Sequence, residues 1–309
     1  MLYVTTRDNK DAYTAHRALH ADLAPDGGSF VPFRLPVYSN EEIECLANNS
    51  FGQNIADILN VFFSAQLTGW DVDLCVGRNL AKLISLSQKI LVAEIWHNPT
   101  AKFRYVIENL YKKITDDQGD KPSAWFEVAV RIAVLFGTFG EIRREALIDK
   151  ESGFDVVVNA GDSAAASAVW YAKRMGLPID TIIFSCDEGS FEWDVLRRGI
   201  CSTTTEDNSL EQMIYHAFGP EETKKFLLAE TVGGVYAADE DLVQKLQNDA
   251  FAAAVSRNRL AGVVSSVSRT DSYRISNETA CSFGGLQDYR ARTREVRPAL
   301  ILVEASFKG

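Results

Sequence analysis

Apolar and polar positions follow two rhythms along this chain, and the change between them is clearest in the middle. In "FDVVVNAGDSAAASAVWYAKRMGLPIDTIIFSC" a short apolar run at 154–158 gives way to a glycine-containing turn and then to an Ala-rich stretch at 163–175. Gly176-Leu177-Pro178 stops that stretch, and a second apolar run follows at 181–185. Strand, helix and strand in that order predict a right-handed βαβ unit and hence an α/β domain with a parallel sheet, Val156 and Val158 facing inward.

The front of the chain reads as mostly helical up to about residue 92. "LYVTT" (2–6) is β-prone, "DAYTAHRALHADLA" (11–24) predicts a helix, and "PDGGSFVP" (25–32) predicts a turn returning to extended chain. From 39 to 60 the period is helical, with Ser39 as a cap and Glu42 three residues on, the pattern of a capping box. "KILVAEIW" (89–96) predicts a strand, and 101–113 and 123–136 predict two helices joined by the exposed acidic linker "TDDQGDKP". The second helix is apolar on more than one face, as expected for a buried core helix, with an interface or a lid as alternatives. Beyond Asp187, "LEQMIYHAF" and "EDLVQKLQNDAFAAAVS" predict helices, "GVVSSVS" (262–268) a short strand, and "ALILVEA" (299–305) a strand of the main sheet.

Composition narrows the partners. With 309 residues, 46% of them hydrophobic, the chain can fill one large core or two linked ones, which excludes a small stapled or disordered protein. Its 42 acidic and 32 basic residues give a net charge of -10, which opposes a long polyanion, so nucleic acid is not an expected partner. The five cysteines are scattered and odd in number, without a C-x-x-C pair, which points to reduced thiols. The N-terminal residues lack the apolar run of a signal peptide, and no stretch is long enough to span a membrane, so a cytoplasmic protein is expected.

Two segments carry candidate chemistry. "EIWHNPTAKFRYVIENLYKK" (94–113) gathers His97, Thr100, Lys102 and Arg104 at a predicted helix start, donors suited to a phosphate or carboxylate. The same residues also read as an ordinary helix start with solvated cations and Phe103, Val106 and Ile107 on a core face. In "NAGDSAAAS" (159–167), Gly161, Asp162 and Ser163 open the Ala-rich helix, whose N-terminal amides suit an anion. Asp162 would stand where that anion approaches, and Asp-Ser before a helix is equally a plain N-cap. His16 and His20 are four apart, but no further ligands complete a metal set, and no metal is expected. "LFGTFGE" (135–141) follows a helical run instead of a strand, so Gly137 and Gly140 predict a bend or helix end in place of a dinucleotide loop. No G-x-S-x-G or Walker A motif is present.

The order of these segments resembles the threonine synthase family, pyridoxal-phosphate enzymes of the tryptophan-synthase-β-like fold. "YVTTR" (3–7) and "LAPDGGSFVP" (23–32) match that family's N-terminal Tyr-x-Ser-Thr-Arg and Ala-Pro-Asp-Gly-Gly-Leu-Tyr-Val-Pro stretches. "EIWHNPTAKFRY" (94–105) aligns without a gap on its Glu-Leu-Phe-His-Gly-Pro-Thr-Leu-Ala-Phe-Lys-Asp segment, with Glu94, His97, Pro99, Thr100 and Phe103 in place. Arg104 falls on the Schiff-base lysine, and a guanidinium offers no free amine to an aldehyde. Lys102 would be the substitute, although residues two apart on a helix point in different directions. "VNAGDSAAASAVWYAKRMGLPI" (158–179) resembles the family's phosphate loop and following helix, keeping Gly161 but with Asp162 at the asparagine position. "NSLEQMIYHAFG" and "ISNETACSFGGLQDY" resemble later family segments, with Glu278 where a histidine stands, and "ALILVEASFKG" resembles the family's tail. Only about fifty residues separate Arg104 from Asp155, too few for the family's second lobe.

The resemblance therefore implies a fold type II α/β domain over 89–309, a small threonine-synthase-like N-terminal domain over 1–88, and a second lobe largely missing. Cofactor binding would fall to His97, Thr100, Gly161, Asp162 and Ser163, beyond the carboxyl ends of the strands. The leading expectation is a catalytically degenerate member with a binding or partner-scaffolding role and no cofactor, paired with a second copy or a full-length family member. The alternatives are a pyridoxal-phosphate-dependent lyase acting on a phosphorylated amino acid, and a protein that binds a small anionic metabolite.

Overall fold

The structure is a computed structural model and describes residues 1–7, 10–76, 82–94, 103–116, 121–202, 208–232 and 234–303. At the front, β1 (Leu2–Thr5) lies between β2 (Tyr13–Thr14) and β3 (Phe30–Pro32), antiparallel to both. The helix expected over 11–24 is shorter: Tyr13 and Thr14 pair with β1, and α1 covers only Ala15–His20, capped by the Thr14 hydroxyl. Strand pairing satisfies those backbone groups as well as a helix would, so propensity did not decide.

Ser39 and Glu42 form the capping box read from the sequence, and it starts α2 (Asn40–Cys45). A single 3-10 turn leads to α3 (Phe51–Phe63), which Ser50 caps by accepting from the Gln53 amide, and α4 (Gly69–Val76) follows.

The main sheet begins with β4 (Lys82–Leu86) and β5 (Ile90–Glu94), an antiparallel pair. Then come α5 (Phe103–Thr115), α6 (Ala124–Arg144), β6 (Phe154–Asn159), α7 (Ser163–Arg174) and β7 (Ile179–Cys186). Next are α8 (Phe191–Arg198), β8 (Ile200–Ser202), α9 (Asn208–Phe218), α10 (Pro220–Thr231), β9 (Val235–Ala237) and α11 (Glu240–Asp249). The chain closes through β10 (Ala250–Ala254), α12 (Arg257–Asp271), α13 (Asn277–Thr293) and β11 (Ala299–Val303).

Among the described residues the main sheet has six strands in the order β10-β7-β6-β11-β5-β4, all parallel except β4. The expected βαβ unit is present: β6 and β7 are parallel neighbours joined by α7, and Val156 and Val158 are buried. β11 inserts between β6 and β5, joining the main sheet as expected.

Side chains alternate between the two faces of the sheet. Val156, Val158, Ile182 and Leu300 join the core that holds α3, α6 and α7, while Val157, Ile183 and Ile301 pack with residues of α12 and α13. Helices thus cover both faces, as a parallel sheet requires.

Three further expectations are corrected. "GVVSSVS" lies inside α12, where Val263 and Val267, four apart, are buried and Leu260 and Val264 pack partly buried beside them; helical spacing of the apolar residues overrode β propensity. The segment 240–256 does not stay helical, since α11 ends at Asp249 and 250–254 pairs in parallel with β7. Its small alanines pack on the sheet edge, and ladder bonds outweigh helix propensity there.

Gly137 and Gly140 mark neither a bend nor an end, because both lie within α6. A Cβ on Gly137 would meet the Phe51 ring at 3.0 Å, and one on Gly140 would meet the Leu46 carbonyl at 2.8 Å and the Asn54 amide. They let the front segment approach α6 closely. Helix α6 is buried nearly all along its length, as its apolar pattern predicts. Among the described residues no helix is long and apolar enough to cross a membrane.

Candidate functional site

Because β11 sits between β6 and β5 while the chain runs from β5 to β6, the sheet order reverses there. Crevices at such switch points, beyond the carboxyl ends of the strands, are the usual ligand sites of open α/β sheets. Two helix N-termini, of α7 and α13, converge on that place. A cavity of about 60 Å³ lies between them, lined by Asn159, Asp162, Ala165, Ser276, Glu278 and Leu302 among others. That is room for a few water molecules.

The turn into α7 is built by local hydrogen bonds. The Asn159 side-chain oxygen accepts from the Gly161 amide at 3.0 Å, and the Asn159 carbonyl accepts from the Asp162 amide at 3.0 Å. Asp162 is the N-cap: its Oδ1 accepts from the Ala165 amide at 3.0 Å. Its Oδ2 accepts from Arg131 Nη2 at 3.3 Å. Ser163 is the first residue of the helix and is half-buried.

Arg131 reaches the site from α6, and its side chain is only 13% exposed. Its guanidinium lies over the Phe103 ring, 5.0 Å from the centroid, and 3.8 Å from Glu127 Oε2. Burial pushes the Glu127 carboxyl up, Arg131 pulls it down, and Asp162 pushes it up again. One cation therefore serves two carboxylates.

On the other side, Ser276 caps α13 by accepting from the Thr279 amide at 3.1 Å, and Glu278 occupies the first turn. At the end of β5, Glu94 accepts from the Tyr273 hydroxyl at 2.8 Å, and burial with that bond raises the phenol well above its ordinary range.

His97, Thr100 and Lys102 lie outside the described residues. Arg104 is 77% exposed and donates from Nε to Glu108 Oε1, one turn on, at 2.8 Å. Gly161, Asp162 and Ser163 form the turn into α7, and of these Asp162 lines the cavity together with Glu278. Arg131 was missed. Its signal was a lone cation within the apolar run "SAWFEVAVRIAVLF", since a charge inside a buried helix needs a partner.

His16 and His20 place their rings 4.3 Å apart, and among the described residues no group of three or more His, Cys, Asp or Glu is arranged to hold a metal.

Residues 2–79 match a family model described as the threonine synthase N terminus. A threonine synthase of Schizosaccharomyces pombe is 24% identical over 170 residues, 50% of this chain and 32% of that protein. The match thus spans about a third of that relative's length. Among solved structures, the pyridoxal-phosphate-bound threonine synthase of Brucella melitensis superposes with a TM-score of 0.83 at 16% identity, covering 99% of this chain and 89% of that one. Yeast threonine synthase gives 0.82 at 13% identity, covering 98% and 87%. The Escherichia coli enzyme gives 0.64 at 15% identity, covering 99% and 88%. At these identities the solved structures establish the fold, which is that of fold type II pyridoxal-phosphate enzymes.

Proposed function

Taking as premise that the chain belongs to the threonine synthase family, we propose that it is a catalytically degenerate member with a binding or partner-scaffolding role. The observation that carries this is Arg104. At the position aligned with the Schiff-base lysine stands a guanidinium that points to solvent and is ion-paired to Glu108 on its own helix. A guanidinium has no free amine to condense with an aldehyde.

The residues present do not fit pyridoxal phosphate. Its phosphate would need the α7 N-terminus, where the Asp162 carboxylate already accepts the Ala165 amide and the Arg131 guanidinium. A dianion placed beside that carboxylate and Glu127 would be repelled.

The division into units 1–88 and 89–309 belongs to this proposal; the family match over 2–79 lies within the first, while β4 already pairs with the main sheet. For the scaffolding role we look to α4 and α5, which pack side by side. Trp70 and Leu74, one turn apart on α4, and Tyr105 on α5 expose apolar side chains. That surface suits a second copy or a full-length family member, in a cytoplasmic setting.

The test is borohydride reduction of the protein after incubation with pyridoxal phosphate, followed by peptide mass spectrometry. No single lysine should carry a stoichiometric pyridoxyl adduct. An adduct on Lys102 or any other one lysine would overturn the proposal in favour of the lyase reading. Arg104→Lys alone should still give no such adduct, because Asp162 remains.

A further inference from the structure

The N-terminus of α7 has an anion built into it. In a twelve-residue helix the first amides carry a partial positive charge and need acceptors. Here Asp162 supplies one, with Oδ1 on the Ala165 amide, while Oδ2 faces the Arg131 guanidinium at 3.3 Å. Arg131 is held in place by the Phe103 ring on one side and by the Glu127 carbonyl, to which Nη1 donates at 3.4 Å, on the other. Backbone amides at a helix start, a buried guanidinium and small neighbours in Gly161, Ala164 and Ala165 are the parts with which proteins receive a phosphate monoester. Carboxylates of the wrong sign stand there too: Glu127 lies 3.8 Å from Arg131 and Glu278 lines the cavity, but only Asp162 occupies both a helix amide and the guanidinium.

We propose that Asp162 is an internal anion, with Arg131 as its counter-ion, that excludes phosphorylated ligands from the α7 N-terminus. The proposal rests on the reading of the chain as a degenerate family member; it extends the exclusion from pyridoxal phosphate to phosphate monoesters at large and assigns Arg131 as the counter-ion that a ligand would have to win. Removing the charge while keeping the cap should open the place to a phosphate group. Arg131 and the helix amides are already oriented, so little has to be rearranged.

Asp162→Ser is the variant of choice, since a serine hydroxyl still caps the helix. Asp162→Asn, also a good cap, is made in parallel in case the serine variant is poorly folded. Binding of inorganic phosphate and of pyridoxal 5'-phosphate is measured by calorimetry and by the shift of the thermal midpoint, at ionic strength matched with sodium chloride. Wild type should show no saturable response to either. Loss of one like charge should raise phosphate affinity in the Asp162 variants by about ten-fold or more. Adding Arg131→Met to Asp162→Ser should abolish the gain.

Absence of any gain in both Asp162 variants would overturn the proposal, and so would a gain that survives Arg131→Met. Neither result would produce a reduced lysine adduct in wild type, which is the outcome that defeats the degenerate reading; the two failures are therefore distinguishable.

Discussion

At the scale of single residues, the buried titratable groups make opposite claims on pH. Asp155 on β6 has no exposed surface, and burial pushes its carboxyl up to about 6, offset in part by Arg297 at 4.0 Å and reinforced by Asp180. Between about pH 4 and 6 the folded protein keeps a proton that the unfolded chain has released. Stability from this group therefore falls as pH rises through that window. Asp155→Asn should be more stable than wild type at pH 7 by on the order of 1–2 kcal/mol and should lose that advantage near pH 4. Urea midpoints at the two pH values check this.

His216 works the other way. It is half-buried against Tyr171, its Nε2 donates to the Pro32 carbonyl at 3.0 Å, and loss of solvent around the ring lowers it to about 4. The unfolded chain takes up the proton first, so this contribution is intact above about pH 6.5 and is lost as pH falls toward 4. His216→Gln should flatten the acid limb of the stability curve, at some cost in stability at pH 7. An unchanged slope would mean that another group sets that limb.

At the scale of elements, α6 organises the molecule, and its glycines show why sequence periodicity alone misread them. Gly to Ala inside a helix ordinarily stabilises by about 1 kcal/mol. Gly140→Ala should instead destabilise by roughly 1–3 kcal/mol, since the new Cβ meets the Leu46 carbonyl and the Asn54 amide. Denaturant titration of the variant gives the sign directly. The α2 capping box was legible in the sequence, because a cap is a local bargain between Ser39 and Glu42 three residues away. The α6 glycines were not, because what they accommodate comes from positions more than eighty residues earlier. Arg131 failed for the same reason: its acceptor Asp162 is 31 residues on, across a helix pair.

At the scale of the whole molecule, the front strands and helices and the main sheet share one core. Trp125 of α6 packs edge-on against Phe62 and Tyr171, and its indole nitrogen donates to the Tyr3 hydroxyl, which in turn donates to the Phe62 carbonyl. Unfolding should accordingly be a single transition, with tryptophan fluorescence and far-ultraviolet dichroism coincident. Trp125→Ala should lower stability by about 3–5 kcal/mol. Two resolved transitions would show that the front segment and the main sheet hold together less tightly than this contact implies. The exposed Trp70 and Leu74 predict association in solution: molecular weight by light scattering should rise with concentration, and Leu74→Asp should suppress the rise.

What the sequence by itself determined was whatever depends on neighbours within a few residues. The βαβ rhythm of 154–186, the Ser39 cap and the all-round burial of α6 are of that kind, as are the N-terminal motifs matched over 2–79. The tertiary structure alone decided where distant segments meet. It converted the alanines of 250–254 into an edge strand by offering β7 as a pairing partner. It turned two glycines into contact points, and it set a carboxylate from one helix start against a guanidinium from another helix. The physical reason is common to all three: hydrogen-bond partners, contact distances and counter-charges across space have no signature in the periodicity of either segment alone.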